Sequence, residues 1–204
     1  MIDPSHPVFV LRHGETEWNF DERMQGRQDS PLTPRGRAQA KQQGAILSAI
    51  GLSDGTSFRS SPQGRSRITA DIACAQHGPI IDDPDLMELG LGKWEGRRVP
   101  EMEAEAPDLF KTKGLFWKFH APGGESYDDI EQRCKNVLVR LTGPTVLITH
   151  GVTSRILRVL ALGRAKSDYA ALSGGQGVVY EIRDHQQSRW SVSDQGKILA
   201  EKTF

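Results

Sequence analysis

The side chains with the clearest chemical potential are Arg12 and His13, which stand between an apolar run and a glycine. The run at residues 8–11 predicts a strand, so the pair would lie at the carboxyl edge of a sheet, where open α/β sheets bind ligands. A guanidinium can hold phosphate oxygens in a forked geometry. A neutral imidazole can offer its nitrogen lone pair to phosphorus. The pair therefore predicts phosphoryl transfer through a phosphohistidine.

Three further positions fit the same chemistry. His150 follows a second apolar run, Arg65 follows a Ser-Pro turn at the start of a helix, and Glu88 stands between them along the chain. Arg12, Arg65 and a protonated or hydrogen-bond-donating His150 could neutralise the equatorial phosphate oxygens. Glu88 could give a proton to the leaving alkoxide and afterwards activate water. We expect these residues to form one catalytic site.

Positioning these residues requires strands that alternate with helices. Residues 8–11, Ser57–Ser60 and Thr145–Thr149 read as short strands, and helical spacing follows each of them. This alternation predicts an α/β fold: a three-layer sandwich with a mostly parallel sheet and helices on both faces. Residues 178–182 and 190–192 are expected to pair as closing strands.

Local signals place the helices. Thr33 caps a helix that begins with Pro34 and ends near Ile50, and a second helix follows Pro62 and runs to about His77. Ser126 and Asp129 form a capping box that opens a helix reaching about residue 141. A last helix is expected over residues 153–162.

Residues 99–122 interrupt this pattern and read as a small helical insertion over the active site. An acidic helix at 101–105 is followed by aromatic residues interleaved with lysines: Phe110, Lys111, Lys113, Phe116, Trp117, Lys118 and Phe119. Aromatic rings between lysines can stack nucleobases. A short amphipathic helix that buries its rings is favoured, because large apolar side chains usually belong to the core. We expect a lid beside the site.

Composition limits the class of protein and its partners. The 204 residues fit one domain, 1–204, and the 26 basic residues balance the 26 acidic ones, so a nucleic acid partner is not expected. No apolar run approaches a membrane span, and residues 1–7 lack a signal-peptide pattern, so we expect no membrane partner and a cytoplasmic location. Cys74 and Cys134 are interpreted as free thiols that pack in helices. The histidines lack metal-ligand spacing, so neither a metal nor another cofactor is predicted. A homodimer is left open.

Four segments in this order closely resemble the histidine phosphatase superfamily, also called the phosphoglycerate mutase-like family. They are residues 11–19, residues 60–70, the Glu88 segment with Gly92 and residues 94–96, and residues 149–151. The resemblance implies that His13 is phosphorylated, that Arg12, Arg65 and His150 bind phosphate, and that Glu88 donates and accepts the proton. The predicted substrate-binding residues are Asn19, Gln25, Gly26 and Gly151.

The choice among neighbouring residues rests on that resemblance. The spacing of the family motif selects Arg65 over Arg67. The segment after Glu88, with Gly92 and residues 94–96, fixes the register and selects Glu88 as the acid. The acidic alternatives are Glu15, Asp85 and Glu95. Family members often have leucine at the position of Gln63 and alanine at that of Ser66, so these residues are expected to alter packing or pocket polarity. Arg155 and Arg158, on the helix after His150, are expected on a solvated face.

The predicted activity is a phosphatase that hydrolyses small-molecule phosphomonoesters. A phosphoglycerate mutase is the alternative within the same chemistry. It is less favoured because cofactor-dependent mutases are longer before the second histidine and carry basic residues there for a second anionic group, whereas this insertion is aromatic. A non-catalytic phospholigand-binding module is the third hypothesis, although such proteins usually lose the nucleophile or the acid.

Overall fold

The computed structural model describes residues 6–203. The signal-peptide expectation concerned residues 1–7, and most of these lie outside the described residues. The strands are β1 Val8–Arg12, β2 Ser57–Ser60, β3 Ile80–Asp82, β4 Thr145–Thr149, β5 Val179–Arg183, β6 Gln186–Val192 and β7 Ile198–Lys202. The α-helices are α1 Glu17–Phe20, α2 Pro34–Ile50, α3 Gly64–Ala73, α4 Val99–Glu105, α5 Pro107–Lys113, α6 Tyr127–Val139 and α7 Gly151–Ala161. Short 3₁₀ helices occupy Pro84–Leu86, Gly92–Trp94, Gly114–His120 and Lys166–Ala170.

All of these strands form one sheet in the order β3-β2-β4-β1-β5-β6-β7. Strands β1 to β4 are parallel to one another, and β5, β6 and β7 continue the sheet in antiparallel pairing. Strands β1 and β4 are neighbours, with Arg12 in register with Thr149. The loops that follow them therefore leave the sheet side by side at its carboxyl edge.

Helices cover both faces of the sheet, as predicted. Val8 and Val10 of β1 pack into a core with α6 and α7, whereas Phe9 and Leu11 pack into a second core with α2 and α3. This alternation follows from the two-residue period of a strand, because each face of a central strand is buried against a helical layer. The α/β three-layer fold is confirmed.

The predicted helix starts are also confirmed where a capping side chain marks them. The Thr33 hydroxyl accepts a hydrogen bond from the Gly36 amide, and Gly51 ends α2 in the left-handed conformation. Ser126 and Asp129 form the reciprocal capping box that opens α6. Gly36 has a further role, since a Cβ there would collide with the backbone oxygen of Glu15. Helix α2 can therefore lie directly against the loop that carries His13.

Several boundaries differ from the sequence prediction. Helix α3 ends at Ala73, α6 ends at Val139, and α7 begins directly after His150. The short strands β3 and β7 were not predicted. They lie at the two edges of the sheet and are partly exposed, so they lack the continuous apolar run that marks a buried strand. The antiparallel half also makes the sheet mixed.

Both cysteines are buried free thiols within residues 6–203, Cys74 at the end of α3 and Cys134 inside α6. Their packing positions agree with the sequence interpretation. Within the same range, none of the helices combines the length and the apolar character that spanning a membrane requires.

Candidate active site

A single cavity at the carboxyl edge of the sheet collects nearly all of the predicted site residues. Those that line it are Arg12, His13, Asn19, Gln25, Gly26, Arg65, Glu88 and Gly151. The cavity has a volume of about 110 Å³. By the same measure one water molecule needs about 10–15 Å³, so there is room for a compact polar ligand such as a small phosphate ester.

His150 does not line this cavity but lies directly behind His13. The backbone amide of His13 donates to the carbonyl oxygen of Thr149 at 2.9 Å, which extends the pairing of β1 and β4 by one step. The centroids of the two imidazole rings are 5.2 Å apart. The His150 Nε2 is 2.8 Å from the Ser61 hydroxyl, so the turn before α3 fixes this ring. The two histidines are together because the two strands are adjacent.

One hydrogen bond fixes which nitrogen of the His13 ring carries the proton. Its Nδ1 lies 2.7 Å from the carbonyl oxygen of Gly14, which can only accept a hydrogen bond, so Nδ1 carries the proton and Nε2 keeps its lone pair. Burial, with the positive charges of Arg65 and Arg12, holds the pKa of His13 well below its ordinary value. The imidazole is therefore neutral at neutral pH.

Arg65 is buried at the cavity wall. Its guanidinium donates to the Asp29 carboxylate at 2.8 Å and to the carbonyl oxygen of Gly26 at 3.0 Å. Arg67 instead pairs with Asp71 and Asp82 at the surface. The structure thus brings Arg65, and not Arg67, to the site.

Unpaired buried donors mark the site as suited to an anion. Among residues 6–203, the Nε of Arg12, the Nε of Arg65 and the Nδ1 of His150 are buried without a hydrogen-bond partner in the protein. Burying such groups unpaired is costly, so the two arginine donors at the cavity, with the unpaired His150 nitrogen behind His13, point to a ligand rich in acceptor oxygens.

Glu88 reaches the same cavity from the segment that follows β3. Its carboxylate accepts hydrogen bonds from the backbone amides of Val152 and Thr153 at 3.2 Å each and from the Thr153 hydroxyl at 3.1 Å. These donors belong to the first turn of α7, where the helix dipole attracts a negative charge. The start of α7 therefore holds Glu88 at the cavity wall.

The acidic alternatives are engaged elsewhere. Glu15 bonds the Thr33 hydroxyl and lies near Arg35, and Asp85 pairs with Arg140. Glu95 accepts from the backbone amides of Arg27 and Leu91. Of the four acidic residues, Glu88 alone lines the cavity.

The predicted binding residues Asn19 and Gln25 share an anchor. The Thr16 hydroxyl accepts from the Gln25 side chain at 2.8 Å and from the backbone amide of Asn19 at 3.1 Å. Gln176 donates to the Asn19 side-chain oxygen at 3.0 Å, so the side-chain NH₂ group of Asn19 remains available to the cavity. A loop before β5 thus helps to orient a residue of helix α1, which follows β1.

The two residues that depart from the family pattern make hydrogen bonds that hydrocarbon side chains would not. Gln63 donates to the Gly26 carbonyl at 2.9 Å and accepts from the backbone amide of Glu88 at 2.7 Å, so it bridges two loops of the cavity. The Ser66 hydroxyl donates to the carbonyl oxygen of Ile148 at 3.0 Å. As expected, Arg65 keeps its place between them.

The expectation of a solvated face for Arg155 and Arg158 is wrong. Arg158 is fully buried, with its guanidinium 3.8 Å from the centroid of the Tyr180 ring, and Arg155 lines the cavity. Helix α7 is covered by the loop at residues 172–174, whose carbonyl oxygens accept from both guanidinium groups. The helical period alone could not reveal this cover, because it comes from a distant segment.

The insertion lies beside the cavity, as expected, but the sequence did not reveal which of its residues faces the cavity. Of residues 99–122, Lys118 lines the cavity, together with Arg23 from the loop before Gln25. The interleaving of lysines with aromatic residues was the available signal, but it did not reveal which lysine faces inward.

Within residues 6–203 no three His, Cys, Asp or Glu side chains come together as a metal-binding group. Metal independence remains a prediction.

The fold and this cavity together define an α/β protein with a polar cavity at the ends of two adjacent strands, each followed by a histidine. The model of the histidine phosphatase superfamily (branch 1) matches residues 8–196, and the chain belongs to this superfamily. It is 33% identical over 194 residues to a protein named probable phosphoglycerate mutase GpmB from Erwinia tasmaniensis, covering 91% of this chain and 88% of the relative.

Solved structures give the same result for the fold. The mycobacterial glucosyl-3-phosphoglycerate phosphatase in complex with VO3 superposes with a TM-score of 0.74 at 26% identity, covering 98% of each chain. Bacillus stearothermophilus YhfR superposes with a TM-score of 0.71 at 29% identity, covering 96% of this chain and 95% of that one. The relatives thus include proteins named as phosphatases and as mutases.

Proposed function

We propose that this protein is a phosphatase that hydrolyses small phosphomonoesters through a phosphohistidine on His13, without a metal. The hydrogen bond from the His13 Nδ1 to the Gly14 carbonyl carries the proposal, because it leaves Nε2 as the nucleophilic atom of a buried, neutral ring. Nε2 attacks phosphorus, a nitrogen-phosphorus bond forms, and the bond to the ester oxygen breaks.

The surrounding donors support the charge that this step develops. Arg12 and Arg65 line the cavity, and each has a buried Nε without a protein partner. The Nδ1 of His150, behind His13, is also buried without a protein partner. Donors that are already fixed in place stabilise a transferring phosphoryl group without having to reorganise. Arg65 is held in place by Asp29, and His150 by Ser61.

Glu88 is the proposed acid and base. In the first step its carboxyl group gives a proton to the departing alkoxide, since an alkoxide is too basic to leave unaided. In the second step the carboxylate takes a proton from water, whose oxygen attacks phosphorus as the nitrogen-phosphorus bond breaks. Inorganic phosphate leaves and both residues return to their first state. The position of Glu88 in the same cavity as His13 supports this role.

A phosphoglycerate mutase is the second candidate, because a relative at 33% identity carries that name. The solved relative named as a phosphatase, at 26% identity, favours hydrolysis. A non-catalytic binding module is less favoured, since His13 and Glu88 both line the cavity. We propose that the protein acts on a soluble small molecule in the cytoplasm, without a nucleic acid or membrane partner.

Trapping and product analysis test the proposal. With ³²P-labelled 3-phosphoglycerate, we expect release of inorganic phosphate and an alkali-stable, acid-labile label on the protein. The label should be absent in His13→Ala and present in His120→Ala, whose side chain is exposed. Adding bisphosphoglycerate primer and obtaining isomerisation faster than phosphate release would favour the mutase. Binding of phosphate with no turnover of any monoester would favour the binding module.

A further inference from the structure

Glu88 is held through the main chain around it as well as through its carboxylate. The start of α7 binds the carboxylate, whereas the main chain is bound by a side chain of α6 and by one that precedes this helix. The carbonyl oxygen of Met87 accepts from Arg133 at 3.1 Å, and the amide of Gly90 donates to Glu125 at 2.6 Å. Glu125 and Arg133 do not line the cavity. They therefore contact the residues around Glu88 and not the space for a ligand.

Glu125 and Arg133 form a forked ion pair. The Nε of Arg133 donates to one carboxylate oxygen of Glu125 at 2.9 Å, and a terminal nitrogen donates to the other at 3.1 Å. Two parallel bonds fix the relative orientation of two planar groups, which a single contact does not. The other terminal nitrogen of Arg133 donates to the carbonyl oxygens of Asp85, at 2.7 Å, and Met87. The ion pair is thus fixed internally and bound to the main chain before and after Glu88.

Glu125 is ionised and fully engaged. Arg27, from the loop that contains Gly26, pairs with the same carboxylate at 3.0 Å. Burial by itself would raise the pKa of Glu125. The hydrogen bonds from Arg133 and the Gly90 amide, with the charges of the two arginines, outweigh burial and keep the pKa below its ordinary value. Both carboxylate oxygens are therefore required by the groups around them.

We propose that Glu125 and Arg133 are positioning residues for proton transfer, and that their ion pair fixes the main chain around Glu88 so that its carboxyl group stays at the cavity. This proposal rests on the proposed function, because it takes Glu88 as the proton donor. A proton donor must come within hydrogen-bond distance of the leaving oxygen. A displacement of about 1 Å costs roughly a hundredfold in rate. A long, flexible side chain keeps such a position only if its backbone is fixed too.

Glu125→Gln tests the ion pair with little change in side-chain size. An amide has one acceptor oxygen, and its NH₂ group would face the N–H groups that now bind the second carboxylate oxygen. Glu131→Gln is the matched control. Glu131 lies on α6, pairs with Lys135 of the same helix at 2.6 Å, and has a side chain that is 24% exposed, close to the 22% of Glu125. The control removes the same charge without touching the main chain around Glu88.

The dependence on the leaving group separates positioning from a general loss of stability. Phenyl phosphate and p-nitrophenyl phosphate differ by one nitro group, which makes the second leaving group less dependent on protonation. We expect Glu125→Gln to lower kcat/KM roughly tenfold for phenyl phosphate and much less for p-nitrophenyl phosphate. A variant that is only partly folded would lose both activities equally. Glu131→Gln should change neither value.

A double variant shows whether Glu125 acts through Glu88. In a Glu88→Gln background, Glu125→Gln should cause no further loss on phenyl phosphate, because no proton donor is left to position. Arg133→Lys is the second single variant, and it carries the same test if Glu125→Gln does not fold. A lysine keeps the charge but cannot form the fork and reach the carbonyl oxygens together, so the same leaving-group dependence is expected.

Amide hydrogen exchange measures the position of the main chain without an assay of activity. The Glu88 amide donates to Gln63 and not to Glu125, so faster exchange there reports loosening of the segment and not loss of a direct partner. Relative to the amides of β4, which report global unfolding, we expect roughly tenfold faster exchange in Glu125→Gln. No change is expected in Glu131→Gln.

The outcomes separate the two proposals. Equal losses on the two substrates, or a further loss in the double variant, would overturn the positioning role and leave the phosphatase intact. Unchanged exchange at Glu88 would overturn it as well. If neither compound is hydrolysed, or if Glu88→Gln shows no dependence on the leaving group, the proposed mechanism fails. Exchange at Glu88 then decides alone whether the ion pair holds this segment.

Discussion

The side-chain oxygen of Gln63 accepts a hydrogen bond from the backbone amide of Glu88 at 2.7 Å. The side-chain NH₂ group of Gln63 donates to the carbonyl oxygen of Gly26 at 2.9 Å. One buried side chain thus connects the proposed proton donor to the loop that lies against Arg65. A hydrocarbon side chain at this position could make neither bond.

Gln63→Leu tests this bridge. The backbone amide of Glu88 would lose its partner, whereas the carbonyl of Gly26 would keep its hydrogen bond from Arg65. An unsatisfied buried group costs about 1–3 kcal/mol. We expect the free energy of unfolding, measured by urea denaturation, to fall by about that amount, together with kcat. Gln76→Leu, at an exposed position of the loop after α3, should change neither quantity. A Gln63→Leu protein with unchanged stability and kcat would show that the bridge is dispensable.

Glu88→Gln tests the proton donor. An amide cannot protonate the leaving oxygen, so alkyl phosphates should lose roughly 10²–10⁴-fold in kcat. p-Nitrophenyl phosphate has a good leaving group and should lose much less. Parallel assays on both substrates measure the difference, with Glu103→Gln on the exposed face of α4 as the control. Equal losses on the two substrates would assign Glu88 a positioning role instead.

The buried histidines predict a loss of stability in mild acid. Burial and nearby positive charges, Arg65 foremost, hold the pKa values of His13 and His150 well below 6.5 in the folded protein. The unfolded chain takes up these protons near pH 6.5 and the folded chain does not, so stability falls as the pH drops below 6.5. Each histidine contributes about 1.4 kcal/mol per pH unit.

Urea unfolding between pH 6.5 and 5 measures this slope, because the ordinary range of carboxyl groups lies lower. His13→Asn should reduce the combined slope by about 1.4 kcal/mol per pH unit. His120→Asn, at an exposed position, should leave it unchanged. If His13→Asn does not alter the slope, His13 is protonated in the folded protein and the neutral-nucleophile argument fails.

The two thiols should be unreactive in the folded protein. Burial raises the pKa of Cys74 to about 12 and also raises that of Cys134. The thiolate is the reactive form, so a disulfide reagent at pH 8 should label neither residue quickly. In guanidinium chloride both should react at the rate of a free thiol. Rapid labelling of one residue without denaturant would show that its helix opens locally.

Much of the site could be predicted from the sequence because its signals are local. Arg12 and His13 follow an apolar strand, and His150 follows another, so both histidines had to lie at a carboxyl edge. Caps at Thr33 and Ser126 act over three residues, which is why those helix starts are confirmed. Strands β3 and β7 lacked such a signal, since partly exposed edge strands need no continuous apolar run.

The sequence by itself determined the chemical types of the site and their order along the chain, because strand and cap patterns depend on neighbouring residues. Only the tertiary structure decided which side chains meet. In the 3₁₀ segment Gly114–His120, with about three residues per turn, Phe116 and Phe119 share a face that packs on Tyr127 and Tyr169. Lys118 stands on another face and lines the cavity. Contacts with distant segments fixed that orientation, and no local pattern encodes them.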